Sequence, residues 1–195
     1  MSARASRARV LALGVASCAL LALLSTVAAA TAIDPVASNI GFNLRMRWGQ
    51  VLEGRFPTYT GDIQALGDGR RRVHLRLSAA DVEIVGNRGY TRLTRGSGFF
   101  DAGRWPTVAF ESDPYTPQLT RDGGELAGML EIRGVRRREV FTIEPAVCTA
   151  PGIACDVVAS GSVDRNDYGV DRWGLVIGSR VVFKLRMRVL RPDNV

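Results

Sequence analysis

One histidine, three cysteines and a knot of aspartates around residue 167 carry most of the reactive chemistry this sequence could offer. A lone histidine serves as a general base, a proton shuttle or a metal ligand. His74 alternates with Arg72 and Arg76, while Val73, Leu75 and Leu77 fill the complementary positions. On a strand that spacing turns the imidazole outward beside two arginines, and a solvated surface histidine is the expectation. Zinc needs several clustered His, Cys or carboxylate ligands, which one histidine and one cysteine pair do not supply. Asp164, Asp167 and Asp171 stand three and four apart. A calcium loop needs regularly alternating ligands and a closing glutamate, so side chains bracing a turn are expected instead. Cys148 and Cys155 are separated by Thr-Ala-Pro-Gly-Ile-Ala. That is not a C-x-x-C pair, and no basic residue flanks either thiol to make it reactive. In an exported chain, two cysteines across a Pro-Gly turn read as a disulfide stapling a short loop, worth roughly 2–3 kcal/mol. The sequence has no G-x-S-x-G, no P-loop and no dinucleotide fingerprint after a strand. No catalytic residue, metal or cofactor is therefore expected, and the chain does not read as an enzyme.

Export rests on the first thirty residues. Arg4, Arg7 and Arg9 form a basic n-region, and Val10 to Val27 is an apolar run broken only by Gly, Ser, Cys and Thr. Ala28-Ala29-Ala30 and Ala30-Thr31-Ala32 both fit a small-x-small cleavage site, so cleavage after Ala30 or after Ala32 stays open. Residues 1–30 are read as a cleaved signal peptide and 31–195 as a single periplasmic or secreted domain. An uncleaved anchor is the rival reading, but the run is near the lower length limit for a span and no polar linker follows. A lipoprotein signal at Val15-Ala16-Ser17-Cys18 is the third; the apolar segment before Cys18 is short and continues beyond it. Removing the three n-region arginines leaves 23 basic residues against 19 acidic, so the net charge falls from +7 to about +4. Lys184 is the only lysine. The arginine skew fits a GC-rich genome better than a nucleic-acid partner, and none is expected.

The elements that must position any site are strands. After residue 33 no helix-length amphipathic pattern appears, and period-2 alternation dominates. Ile40, Phe42, Leu44, Met46 and Trp48 alternate with Gly41, Asn43, Arg45 and Arg47. Val51 to Ile63 returns, with Gly54 and Gly61 as expected bend points. Val73, Leu75 and Leu77 follow, and Val82 and Ile84 extend that strand past a bulge at Ala79-Ala80. Gly86 to Gly98 is polar and aperiodic, and a short helix or lid packed by Tyr90 and Leu93 is expected there. Gly98 to Ser112 reads as an aromatic plug (Phe99, Phe100), a corner at Pro106, and a strand presenting Val108 and Phe110 on one face. Further strands run over Leu126 to Ile132, Arg137 to Pro145 and Asp156 to Val163. Val181, Phe183, Leu185, Met187 and Val189 mark the last.

About eight long strands with one apolar face need closure on themselves or a second layer. The expected fold is all-β: an up-and-down antiparallel eight-stranded barrel of lipocalin-like shape, with a two-sheet sandwich as the alternative. Arg45, Arg47, Arg72, Arg76, Arg186 and Arg188 lie on the outer faces, the reverse of a transmembrane barrel. Periodicity alone leaves open whether the interior is filled or hollow.

Five blocks, in order, resemble the YceI-like family. They are Ile33-Asp34-Pro35 with Ser38-x-Ile40-x-Phe42, then Gly54-Arg55-Phe56 with Tyr59-x-Gly61-Asp62-Ile63, and Phe99-Phe100-Asp101 through Ser112. The fourth is Leu126-x-Gly128-x-Leu130-x-Ile132-Arg133-Gly134-Val135 and the fifth Asp164 through Val170. The chain departs from the family just before Phe99, where Leu93 to Gly98 lacks the usual His and Asp, which bears on head-group preference. The resemblance implies an extended lipocalin-like barrel, typically periplasmic or secreted, that binds a polyisoprenoid chain such as a quinone precursor without catalysis. Laid on that fold, the implied ligand-binding residues are Phe42, Leu44, Met46, Phe56, Leu75, Leu77, Phe100, Phe110, Phe183 and Leu185, each of which is equally a core position. Arg88, Arg92 or Arg95 would meet a polar or phosphorylated head at the mouth, or simply be solvated. The implied partner is an isoprenoid lipid, with transient membrane contact and a homodimer left open. The alternative is an envelope stress or interaction protein whose barrel is filled and ligand-free.

Overall fold

The computed structural model describes residues 30–191. The expected signal peptide, residues 1–30, lies outside the described residues apart from Ala30. Among the described residues, eleven antiparallel strands form one sheet: β1 (Ala30–Ala32), β2 (Asn39–Met46), β3 (Val51–Arg55), β4 (Tyr59–Ala65), β5 (Arg71–Ser78), β6 (Glu83–Ile84), β7 (Thr107–Ser112), β8 (Gly124–Ile132), β9 (Val135–Ile143), β10 (Val157–Asp164) and β11 (Ile177–Met187). Their spatial order is β1-β4-β5-β7-β8-β9-β10-β11-β2-β3-β6. Helix α1 (Arg88–Arg95) and the single turn α2 (Leu119–Asp122) sit in connections, and a 3₁₀ turn covers Arg165–Tyr168. No helix among the described residues is long and apolar enough to cross a membrane.

Ten of the eleven strands make eight staves. β1 and β2 are two parts of one stave, interrupted where the Asp34 carboxylate accepts from the amides of Val36 (2.8 Å) and Ala37 (3.0 Å). β3 and β4 are two parts of the next, interrupted at Phe56–Thr58, where Pro57 has no amide to give a ladder. β1 pairs with β4 on one side. On its other side, Ile33 bridges Val189, the Asp34 amide donates to the Arg188 carbonyl (2.9 Å), and the Leu190 amide donates to the Ala32 carbonyl (2.9 Å). The ring closes through that seam, while β2 pairs with the body of β11. β6 is a short outlier against β3.

Alternation sets the inner rows. Ile40, Phe42, Leu44 and Met46 are all buried, as are Leu75 and Leu77, Val108 and Phe110, and Val181, Phe183 and Leu185. Several local expectations change. Trp48 does not continue the inner row: the Gly49 amide bonds back to the Met46 carbonyl (2.9 Å), the chain turns, and the indole is 62% exposed. The break after β3 falls at Pro57. Gly54 and Gly61 lie within strands, and they make room for packing rather than bends: a Cβ at either would collide with inner side chains, Phe42 at Gly54 and Ile33 and Leu75 at Gly61. Val82 and Ile84 do not extend β5, which ends at Ser78; the chain turns and β6 crosses to β3. The helix forms with Asn87 as N-cap, its side chain accepting from the Tyr90 amide (2.9 Å). It buries Thr94 rather than Leu93, which is 46% exposed.

Up-and-down connectivity puts the loops at two ends. The 47–50, 79–106, 133–134 and 165–176 connections share one end with α1. The 66–70, 113–123 and 144–156 connections, with α2 and the Cys148–Cys155 disulfide, share the other.

Candidate ligand-binding cavity

The α1 end is closed from within by aromatic rings. Phe99 and Phe100 enter from the loop after α1, held by bonds from the Phe100 amide to the Thr94 carbonyl (3.0 Å) and from the Asp101 amide to the Gly96 carbonyl (2.9 Å). Phe100 meets Phe42 (6.0 Å between ring centroids) and Phe56 (5.7 Å), mostly edge to face. Beneath the neighbouring loop Arg165 is buried, donating to the carbonyls of Gly178 (3.0 Å), Arg172 (2.7 Å), Ile177 (3.1 Å) and Val170. Burial pulls its guanidinium below the usual arginine value. Tyr168 is buried beside it and donates to Glu139 Oε1 at 2.7 Å. Burial and that carboxylate both raise the phenol's pKa, so it remains a donor. The Asp164 carboxylate braces the turn by accepting from the Asn166 amide (2.9 Å), as the aspartate spacing suggested.

The other half of the barrel is hollow. A cavity of about 280 Å³ runs from the barrel's middle to the disulfide end. Its floor is Phe110, Phe141 and Phe183, with the first two rings edge to face at 5.0 Å. Gly128 and Gly161 let these rings lie against the wall; a Cβ would stand 2.6 Å from the Phe110 ring and 2.7 Å from the Phe141 ring. Leu75, Leu77, Leu126, Leu130, Ile143 and Leu185 form walls. At the rim stand Ala65, Arg71 and Ile153, all exposed. The disulfide loop supplies part of that rim: Pro151, Gly152 and Ile153 border the cavity, and the Val189 amide donates to the Gly152 carbonyl (2.9 Å). Cys148 and Cys155 are bonded, with Cα atoms 6.1 Å apart. Such a volume is at the low end for small-molecule sites and holds roughly nine water-sized groups. The lining is apolar apart from Thr31, Thr120, Tyr115 and one charged side chain, Arg71.

Five of the ten residues implied for ligand contact line this cavity: Leu75, Leu77, Phe110, Phe183 and Leu185. Leu44 and Met46 line a smaller void of about 70 Å³ near α1. Phe42, Phe56 and Phe100 border neither and pack into the aromatic plug. Alternation put nine of the ten on the inner surface, and the loop that carries the tenth, Phe100, divides that surface in two. Arg88, Arg92 and Arg95 are at the plugged end, and Arg95 is spent on the carbonyls of Val82 (2.7 Å) and Asp81 (3.0 Å). Sequence reasoning missed Phe141, Tyr115 and Arg71. Arg71 was legible, since it begins the inner row 71-73-75-77. The outward His74 was placed correctly, with Nδ1 3.2 Å from Asp62 Oδ2 on the neighbouring strand.

A closed up-and-down barrel, plugged at one end and apolar and hollow at the other, defines a lipocalin-like binding barrel. The YceI-like domain model matches residues 32–189, and the chain belongs to that family. Solved structures share the fold. BcnA of Burkholderia cenocepacia aligns with a TM-score of 0.67 at 16% identity, over 82% of this chain and 99% of its own. A polyisoprenoid binding domain from Saccharophagus degradans, implicated in plant cell wall breakdown, aligns at 0.62 and 13%, over 85% and 99%. The Campylobacter jejuni YCEI protein aligns at 0.56 and 18%, over 71% and 84%. No curated protein matches the sequence.

Proposed function

We propose that this protein holds an elongated apolar lipid of the polyisoprenoid or isoprenoid-quinone type, for transport or storage, in the periplasm or outside the cell, without catalysis. The observation that carries the reading is the single-ended apolar cavity, walled by inner-row side chains and rimmed by exposed residues. Family membership supports lipid binding, and a fold neighbour is a polyisoprenoid binding domain. Leu75, Leu77, Phe110, Phe183 and Leu185 are the proposed contacts, each buried methylene of ligand contributing about 0.8 kcal/mol. A chain longer than about two five-carbon units would extend through the rim, given room for roughly nine water-sized groups. Export is supported by the leader and by the disulfide, which belongs to an oxidising compartment. A filled, ligand-free interaction protein is the second reading, favoured by the aromatic plug that already occupies half the interior. Mass spectrometry of an organic extract decides between them, using protein from its native host never exposed to detergent. A stoichiometric polyprenyl species is expected, and a clean extract would favour the filled barrel.

A further inference from the structure

Among the described residues lining the cavity, Arg71 alone is charged. It opens the inner row of β5 and bridges Tyr115 backbone to backbone, with N–O distances of 2.8 and 2.9 Å, so the two side chains share the inner face at the rim. Four carboxylates on β4, on β7 and in the connections next to them are engaged with other cations. Asp68 pairs with Arg70 (2.6 Å), Glu111 with Arg72 (3.3 Å), Asp62 with His74 (3.2 Å) and Asp113 with Arg138. Among the described residues Arg71 has no carboxylate within ion-pair distance, and neither its guanidinium nor the Tyr115 hydroxyl has a hydrogen-bond acceptor. A guanidinium at the lip of an apolar cavity recognises a carboxylate or a phosphate through paired N–H donors.

We propose that the cavity takes an amphiphile with an anionic head, with Arg71 binding the head group and Tyr115 supplying a second donor. The inference rests on the lipid-binding reading and adds the head-group class to it. Burial raises the pKa of the Tyr115 phenol, which keeps its proton available for donation.

The test is titration of the disulfide-bonded protein with geranyl phosphate and with geraniol, two probes sharing one tail short enough for the cavity. Geranyl phosphate is expected to bind about tenfold more tightly, as a charge-assisted contact to guanidinium allows. Arg71→Gln should bring the ratio of the two affinities near one, Arg71→Lys should keep part of it, and high salt should shrink it in the parent. Equal affinity for the two probes would overturn the head-group inference and leave the lipid-binding reading standing. A preference that survives Arg71→Gln in a folded variant would overturn the assignment to Arg71. Inorganic phosphate that binds as tightly as geranyl phosphate would make the site a free-anion site and overturn the amphiphile. Failure of both probes to bind would count against the lipid-binding reading itself, and the inference would fall with it.

Discussion

At the α1 end, Phe99 and Phe100 descend from a loop and Phe100 interlocks with Phe42 and Phe56; at the disulfide end the loops stop at the rim and leave a void of about 280 Å³. The same staves line both halves. β2 gives Phe42 and Leu44 to the plugged half and Ile40 to the cavity wall, and β11 runs from Val181 to Leu185 across the boundary. The difference lies in the connections. The long 79–106 connection carries two adjacent Phe on a chain tied down by amide–carbonyl bonds, so it inserts. The connections at the other end place Tyr115, Leu119 and the tethered Pro151-Gly152-Ile153 segment along the cavity lining, where they border the space without filling it. Strand alternation makes an interior, and loop content decides which part of it remains empty.

The largest test of this division is a pair of phenylalanine truncations. Phe42 is 1% exposed, with ring neighbours Phe56, Phe100 and Phe183 at 5.5–6.1 Å. Phe42→Ala is expected to cost about 3–5 kcal/mol in urea unfolding. Phe110→Ala should cost about 2–3 kcal/mol, because one side of that ring already faces void and has fewer dispersion partners to lose. Equal costs would mean that the two halves are packed alike.

The disulfide sharpens the same comparison from the rim. Replacing Cys148 and Cys155 together by Ser should lower stability by roughly 2–3 kcal/mol, the loop-closure value for so short a ring. Reductant should bring the parent to the same level. The tethered loop also forms part of the cavity rim, so a bound apolar probe should dissociate faster from the variant in a stopped-flow exchange. An unchanged dissociation rate would place the route of entry elsewhere on the rim.

Much of this was legible in the sequence, and the limits have physical causes. Inner rows such as Phe42-Leu44-Met46 and Phe183-Leu185 follow directly from period 2. The disulfide followed from compartment and spacing, and it is present in the fold. Ring closure had no local signal, because the seam joins Ala32–Asp34 to Arg188–Leu190 across nearly the whole chain. Arg165 could not be recognised as buried, since its partners are four backbone carbonyls and carbonyls leave no mark in a sequence. The division of the ten implied contacts between plug and cavity depends on where Phe99 and Phe100 insert, which alternation does not encode.

The smallest effect is the most discriminating. Gly54 lies opposite Phe42 across β2 and β3, and a Cβ there would overlap a ring that Phe56, Phe100 and Phe183 hold in place. Gly54→Ala adds one methyl group to the plugged half and should cost about 1–3 kcal/mol by overpacking. Ala159 lies opposite Ile143 and Leu185 and borders the cavity. Ala159→Phe adds a whole ring to the hollow half, yet stability should stay within about 1 kcal/mol of the parent, because filling a void offsets the strain of the larger side chain. The same variant should lose affinity for geraniol, since its ring occupies the space the probe would take. If Ala159→Phe destabilises as much as Gly54→Ala, the interior at the disulfide end is already packed in solution. In that case the barrel is filled from end to end, and the protein's work is done on its surface.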